Sequence, residues 1–213
     1  MPRRLSAAVA LFLAALVGTT ACSGGQSPPA PTTAAPVEST ASASPGTTSA
    51  TPTAAPAYKP ADASGRAQNV PVPVLPEAAK AETKEGLEAF AKYWFEVLSY
   101  GYGTGDVSRL DAITAADCQP CSSAKKVILS WNEGGKWLIG GTLTTPSVTG
   151  VFDKGPDSRY QVAVQARQKA ITYMRQDGSV ARSDPQPDDT GNLLFVEFGA
   201  GAWKLVNIGK IVG

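Results

Sequence analysis

The chain has 213 residues, 43% of them hydrophobic, with 17 Pro, 21 Gly and no His. Nineteen Lys and Arg against 18 Asp and Glu leave a formal net charge of +1. That excludes a strongly basic nucleic-acid binder, and the missing imidazole excludes Ser-His-Asp and Cys-His catalysis and any His-ligated metal.

Arg3 and Arg4 give the chain a positive start, and Leu5 to Val17 form an almost unbroken apolar stretch. At about 13 residues this is too short for a permanent transmembrane helix and suits a secretory signal. Thr19-Thr20-Ala21-Cys22 follows and resembles a bacterial lipobox, although Thr19 stands where an aliphatic residue is usual. The resemblance implies a signal peptide over 1–21, cleavage before Cys22, and a diacylglyceryl group on the Cys22 sulfur. Two acyl chains anchor a protein stably where one does not. The expected location is therefore extracytoplasmic, on the outer face of the cell membrane, with the bilayer as a partner through Cys22.

Residues 22–75 are rich in Ser, Thr, Ala, Pro and Gly and show neither helical nor strand periodicity. Too little bulky apolar surface is present to offset chain entropy, which predicts a disordered tether with polyproline II character. Its roughly 50 residues would reach about 40 Å as a flexible coil and about 150 Å fully extended. The Ser, Thr and Pro content also suits O-glycosylation.

All four Trp residues, Trp94, Trp131, Trp137 and Trp203, fall in the remaining segment, 76–213, which is expected to be the folded domain. Glu77 to Tyr100 predicts a helix in which Leu87, Phe90, Ala91, Trp94, Phe95 and Leu98 make one apolar stripe. Glu85, Glu88, Lys92 and Glu96 are expected on the opposite side, with Glu88 and Lys92 one turn apart. The glycines of "YGYGTGD" end the helix, and Asp106 is placed to cap a short second helix carrying Leu110 and Ile113. Thr114 to Glu133 predicts a third helix, with Pro120 in its first turn and Val127, Ile128 and Trp131 on its buried side.

Alternation then replaces helical spacing. Trp137 to Val151 predicts one or two strands interrupted at Pro146, and Tyr160 starts a strand continuing toward Met174. Asp177-Gly178 marks a turn, and Leu193 to Phe198 and the segment from Trp203 onward predict two closing strands. Helices first and antiparallel strands afterwards define an α+β fold.

The stretch "YWFEVLSYGYGTGDVSRLDAIT" looks like the opening of nuclear transport factor 2-like cones, in which N-terminal helices pack on a curved antiparallel sheet. The fuller stretch ending in "DCQPCSS" is similar to an uncharacterised domain family of actinobacterial lipoproteins, domain of unknown function 6318. The cone resemblance implies an apolar pocket between helix and sheet, suited to a small apolar ligand or a segment of an envelope protein. Related cones also house acid-base chemistry. Here a carboxylate would have to act as base, and alternation with Leu193 and Phe195 makes Glu197 the candidate for the interior. Asp106, Asp111 and Asp117 fit caps and turns equally well.

Cys118-Gln119-Pro120-Cys121 is the one chemical constellation. Outside the membrane two thiols at this spacing are expected to form a disulfide, closing a small loop for roughly 2 kcal/mol. Thiol-disulfide exchange is the alternative, but its usual strand-then-helix context is missing. Two thiols alone make an incomplete zinc site. No cofactor is implied, and a non-catalytic binding or scaffolding domain is the leading expectation.

Overall fold

A computed structural model describes residues 56–211. Its central element is helix α1, Lys84–Thr104. The helix expected from Glu77 begins only at Lys84, because residues 77–80 form a separate 3₁₀ turn and Ala81 and Thr83 are extended. Two contacts explain the break. The Thr83 hydroxyl accepts from Gly86 N at 3.0 Å, capping α1, and the Trp203 indole donates to Ala81 O at 3.1 Å. Gly86 is required here, since a Cβ on it would lie 2.1 Å from Ala81 O.

The expected stripe of Leu87, Phe90, Ala91, Trp94, Phe95 and Leu98 is buried throughout, and Tyr93, Val97 and Gly101 widen it. Burying each large member stabilises the fold by about 1.5–3 kcal/mol relative to exposure. Glu88 departs from expectation. It is half-buried and does not pair with Lys92; its carboxylate accepts from Gly150 N at 2.9 Å and sits 3.5 Å from Lys84 Nζ.

Two shorter helices follow, α2 (Ser108–Ala112) and α3 (Gln119–Ser130). Asp106 plays its expected part, accepting from the backbone and hydroxyl of Ser108 at 2.9 and 2.6 Å, and Leu110 is buried beneath. The third helix starts later than its propensity suggests, because residues 113–115 are claimed by the last strand. Ala115 N donates to Leu205 O at 2.7 Å and Leu205 N to Ile113 O at 2.9 Å. Pro120 lies in the first turn of α3, as expected. Ile128 is buried and Trp131 half-buried, but Val127 is exposed, so the buried side of α3 is narrower than its apolar sequence implied.

Seven strands complete the fold: β1 Trp137–Gly140, β2 Leu143–Val151, β3 Tyr160–Gln168, β4 Ile171–Met174, β5 Val180–Asp184, β6 Thr190–Gly199 and β7 Ala202–Lys210. They form two antiparallel sheets, ordered β1-β4-β5 and β2-β3-β6-β7. β1-β2 and β3-β4 are two arms of one hairpin, bent where Gly141 N donates to Ala170 O at 3.0 Å. The bend needs Gly140, whose φ is 82° and whose Cβ would lie 2.2 Å from Ala170 O. The interruption expected at Pro146 is therefore at the glycines instead. Pro146 stays inside β2, at an irregularity between Thr144 and Ser147. Asp177-Gly178 turns β4 into β5 as expected.

The core lies between α1 and the inner side of the four-stranded sheet. Val162, Val164 and Ala166 of β3, Leu194 and Val196 of β6, and Trp203 and Leu205 of β7 are buried there. Pairing of Tyr160 with Val196 and Val162 with Leu194 sets which side of β6 turns inward.

The domain boundary expected at residue 76 is corrected. Residues 56–75 belong to the described structure, with a small hairpin pairing Lys59 with Gln68 and Asp62 with Gly65. The Arg66 guanidinium donates to Asn132 O and, at 2.6 Å, to Lys136 O, while the Trp137 indole donates to Asp62 O at 2.9 Å. Hydrogen bonds to distant residues order a segment that has little apolar surface of its own. The signal peptide expected over 1–21, Cys22 and the part of the expected 22–75 tether that precedes residue 56 lie outside the described residues. Among the described residues no helix is long and apolar enough to cross a membrane.

Candidate functional site

Where the C-terminal half of α1 passes the start of α3, the helices stand apart from the end of the β6–β7 hairpin. They leave a cleft of about 460 Å³. That volume falls within the range of small-ligand clefts. Trp94, Phe95 and Leu98 of α1 form its floor, and Pro120, Cys121 and Ala124 of α3 form one wall. Ile208 and Lys210 of β7 and Asn192 of β6 form the other, with Tyr102 at one end. The helical spacing that buries the α1 stripe also supplies this apolar floor. Asn192 and Lys210 are direct cross-strand partners, so their side chains share one side of the sheet. Asn192 Nδ2 donates to Thr190 O at 3.0 Å. Burial pushes the Tyr102 hydroxyl above its ordinary range, with Gln168 acting in the opposite sense.

Two other depressions are more polar in make-up. One, of about 390 Å³, lies between the 58–73 segment and α1 beside Glu96, Ser99 and Tyr100. The other, of about 320 Å³, lies beside Tyr173, Arg182 and Asp184.

The interior itself is apolar. Thr114 is the one buried polar residue among those described, and its hydroxyl accepts from the Trp94 indole at 2.9 Å. No buried side-chain nitrogen or oxygen among the described residues lacks a hydrogen-bond partner.

The carboxylates weighed from sequence are all at the surface. Glu197 points outward, 3.0 Å from Arg159 Nε, which corrects the expectation that it faces inward. Leu194 and Val196 hold the inner positions, and Glu197, one residue past Val196, falls on the outer side. Asp106 is spent on capping Ser108, whose hydroxyl and backbone N–H hold it below the usual carboxylate range. Asp111 pairs with Lys125, and Asp117 is exposed. The nearest approach to a polar cluster is Glu82, whose carboxylate meets Lys154 Nζ and the Tyr160 hydroxyl, each at 2.9 Å. Lys154 first and Tyr160 second depress the Glu82 carboxyl, the opposite of what a general base needs. Among the described residues no three His, Cys, Asp or Glu side chains come together as a metal site.

Cys118 and Cys121 face each other at the start of α3 with their sulfurs 1.99 Å apart, a disulfide-bonded pair. Both are almost wholly buried, at 1% and 2% exposure, and Cys121 contributes to the cleft wall. Exchange chemistry needs an attackable sulfur, and burial withholds it.

Sequence reasoning missed Asn192 and Lys210. Strict alternation from Trp203 and Leu205 leads to Asn207 and Gly209, and only the irregularity in the β6–β7 ladder brings Lys210 to the inner side. Nothing in the chain marked Asn192 as its neighbour.

Fold and cleft together define a small α+β domain in which helices lean on antiparallel sheets and an apolar hollow remains at their junction. The chain belongs to the family described as "Family of unknown function (DUF6318)", which it matches over residues 56–209. No curated protein matches it. Among solved structures it is similar to the intermembrane space region of chloroplast protein ARC6, at 14% identity and a TM-score of 0.41. That likeness covers 62% of this chain and 98% of the other.

Proposed function

We propose that this protein is a cell-envelope lipoprotein of actinobacterial type whose folded domain, a nuclear transport factor 2-like cone, binds a small apolar ligand without transforming it. The observation that carries the reading is the cleft floored by Trp94, Phe95 and Leu98. Apolar walls at a helix-sheet junction favour a ligand that is itself apolar. A leader over 1–21 and lipidation at Cys22 would place that cleft outside the cell, on a tether of residues 22–55. With the corrected boundary the tether reaches roughly 30 Å as a coil and about 100 Å extended. In the same setting the Cys118–Cys121 disulfide serves as a staple beside the cleft rather than as a redox centre.

Native mass spectrometry of the extracted protein, compared with an Ala124→Phe variant, tests this reading. The expected result is a mature chain beginning at a diacylated Cys22 and a copurifying apolar molecule that the variant loses. Ala124 is half-buried on the cleft wall, so a phenyl ring there fills the space with little change to the core. An unmodified Cys22 would remove the anchor. An envelope protein in place of the small molecule would make the domain a scaffold.

A further inference from the structure

The inner row of β7 changes character at its last member. Val206 lies unpaired at the irregularity in the β6–β7 ladder; past it Ile208, opposite the buried Leu194, is half-buried, and alternation brings Lys210 to the same side. Among the described residues Lys210 is the only formally charged one bordering the cleft. Among the described residues, none of the ion pairs engages its ammonium. Directly opposite stands Asn192, whose Nδ2 uses one hydrogen on Thr190 O and keeps a second. An apolar trough thus ends at a cation and an amide donor standing side by side.

We propose that the cleft takes an amphiphile with one acyl-type chain and an anionic head, a carboxylate or a phosphate. This rests on the apolar-ligand reading above. The chain lies along Trp94, Leu98, Ala124 and Ile208, and the head meets Lys210 Nζ and Asn192 Nδ2. An anionic head accepts a charge-assisted hydrogen bond from the exposed ammonium and a second bond from the amide. A neutral head gains no charge pairing, and a cationic head is repelled.

The test uses the chain from Ser23 onward, without the apolar leader and Cys22, so that it is unlipidated. Decanoate, decyl phosphate, decanol and decyltrimethylammonium are titrated below their micelle concentrations, at pH 7.5, by calorimetry. Decanoate and decyl phosphate are expected to bind about tenfold more tightly than decanol, and decyltrimethylammonium more weakly still. Lys210→Met, which keeps an aliphatic side chain at this exposed position, is expected to bring both anions to the affinity that the same variant shows for decanol. Tighter binding of decyl phosphate than decanoate would indicate a lipid headgroup as the natural source, and the reverse a free acid. Decanol binding as tightly as the anions, or an anion preference that survives in Lys210→Met, would overturn the head-group assignment and leave apolar binding standing. If none of the four binds the folded chain, the apolar-ligand reading falls and this inference with it.

Discussion

Trp94 sits at the junction of packing and the cleft. Its ring is 2% exposed, and its one polar atom is satisfied by a single neighbour, the Thr114 hydroxyl at 2.9 Å. Thr114→Val keeps the shape but leaves a buried indole N–H without a partner, which costs about 1–3 kcal/mol. Urea unfolding should show that loss, and Trp94→Phe should cost less stability in the Thr114→Val background than in the parent chain, because there it removes an orphaned donor. Equal costs in the two backgrounds would assign the effect to packing instead. The helical spacing of Trp94 within the α1 stripe is readable from sequence. Its hydrogen bond is not, because Thr114 reads as the start of a helix until residues 113–115 are seen pairing with Leu205.

Helix α3 depends on its first turn more than a helix of its length would if it buried a broad side. Its buried residues are Cys121 and Ile128, while Val127 and Leu129 are exposed. The Cys118–Cys121 bond fixes the turn by which the chain enters α3 and holds the cleft wall formed by Pro120 and Ala124. Closing a loop of about four residues contributes roughly 2 kcal/mol. The Cys118→Ala/Cys121→Ala variant should lose about that much stability in chemical denaturation. Hydrogen exchange should rise first at the N–H groups of residues 122–124, beginning with Ser122, which donates to Cys118 O at 2.9 Å. Unchanged exchange there would mean that core packing alone holds the turn. Strands also show how far pattern reading extends. Alternation located β3, β6 and β7, but it placed Leu193 and Phe195 inward, one position from the buried Leu194 and Val196. A run such as "LLFVEF" is apolar on both sides, and only pairing with β3 chooses between them.

The largest departure from expectation concerns where the domain begins. Residues 56–75 have the composition of a linker, yet Arg66 ties them to the end of α3 and the start of β1 through Asn132 O and Lys136 O. Charged hydrogen bonds of this kind contribute about 1.5–3 kcal/mol each. Arg66→Ala should therefore raise cleavage within residues 56–75 by about ten- to a hundredfold under a broad-specificity protease, with the rest of the domain still resistant. A cleavage rate equal to that of the parent chain would mean that Trp137 and the small hairpin hold the segment unaided. The matched family region starts at the same place, residue 56.

The helix expected to end at Tyr100 runs on through Gly101 and Gly103 and stops only at Gly105. Local chemistry was enough for the α1 stripe, the Asp106 turn, the Asp177-Gly178 turn and the order of helices before strands. Each depends on neighbours within a few positions along the chain, where spacing alone dictates which side chains meet. The inward side of β6, the ordering of residues 56–75, the outward turn of Glu197 and the pairing of Asn192 with Lys210 depend on contacts between distant parts of the chain. Hydrogen-bond register and long-range packing settle such contacts, and neither leaves a local trace in the order of residues.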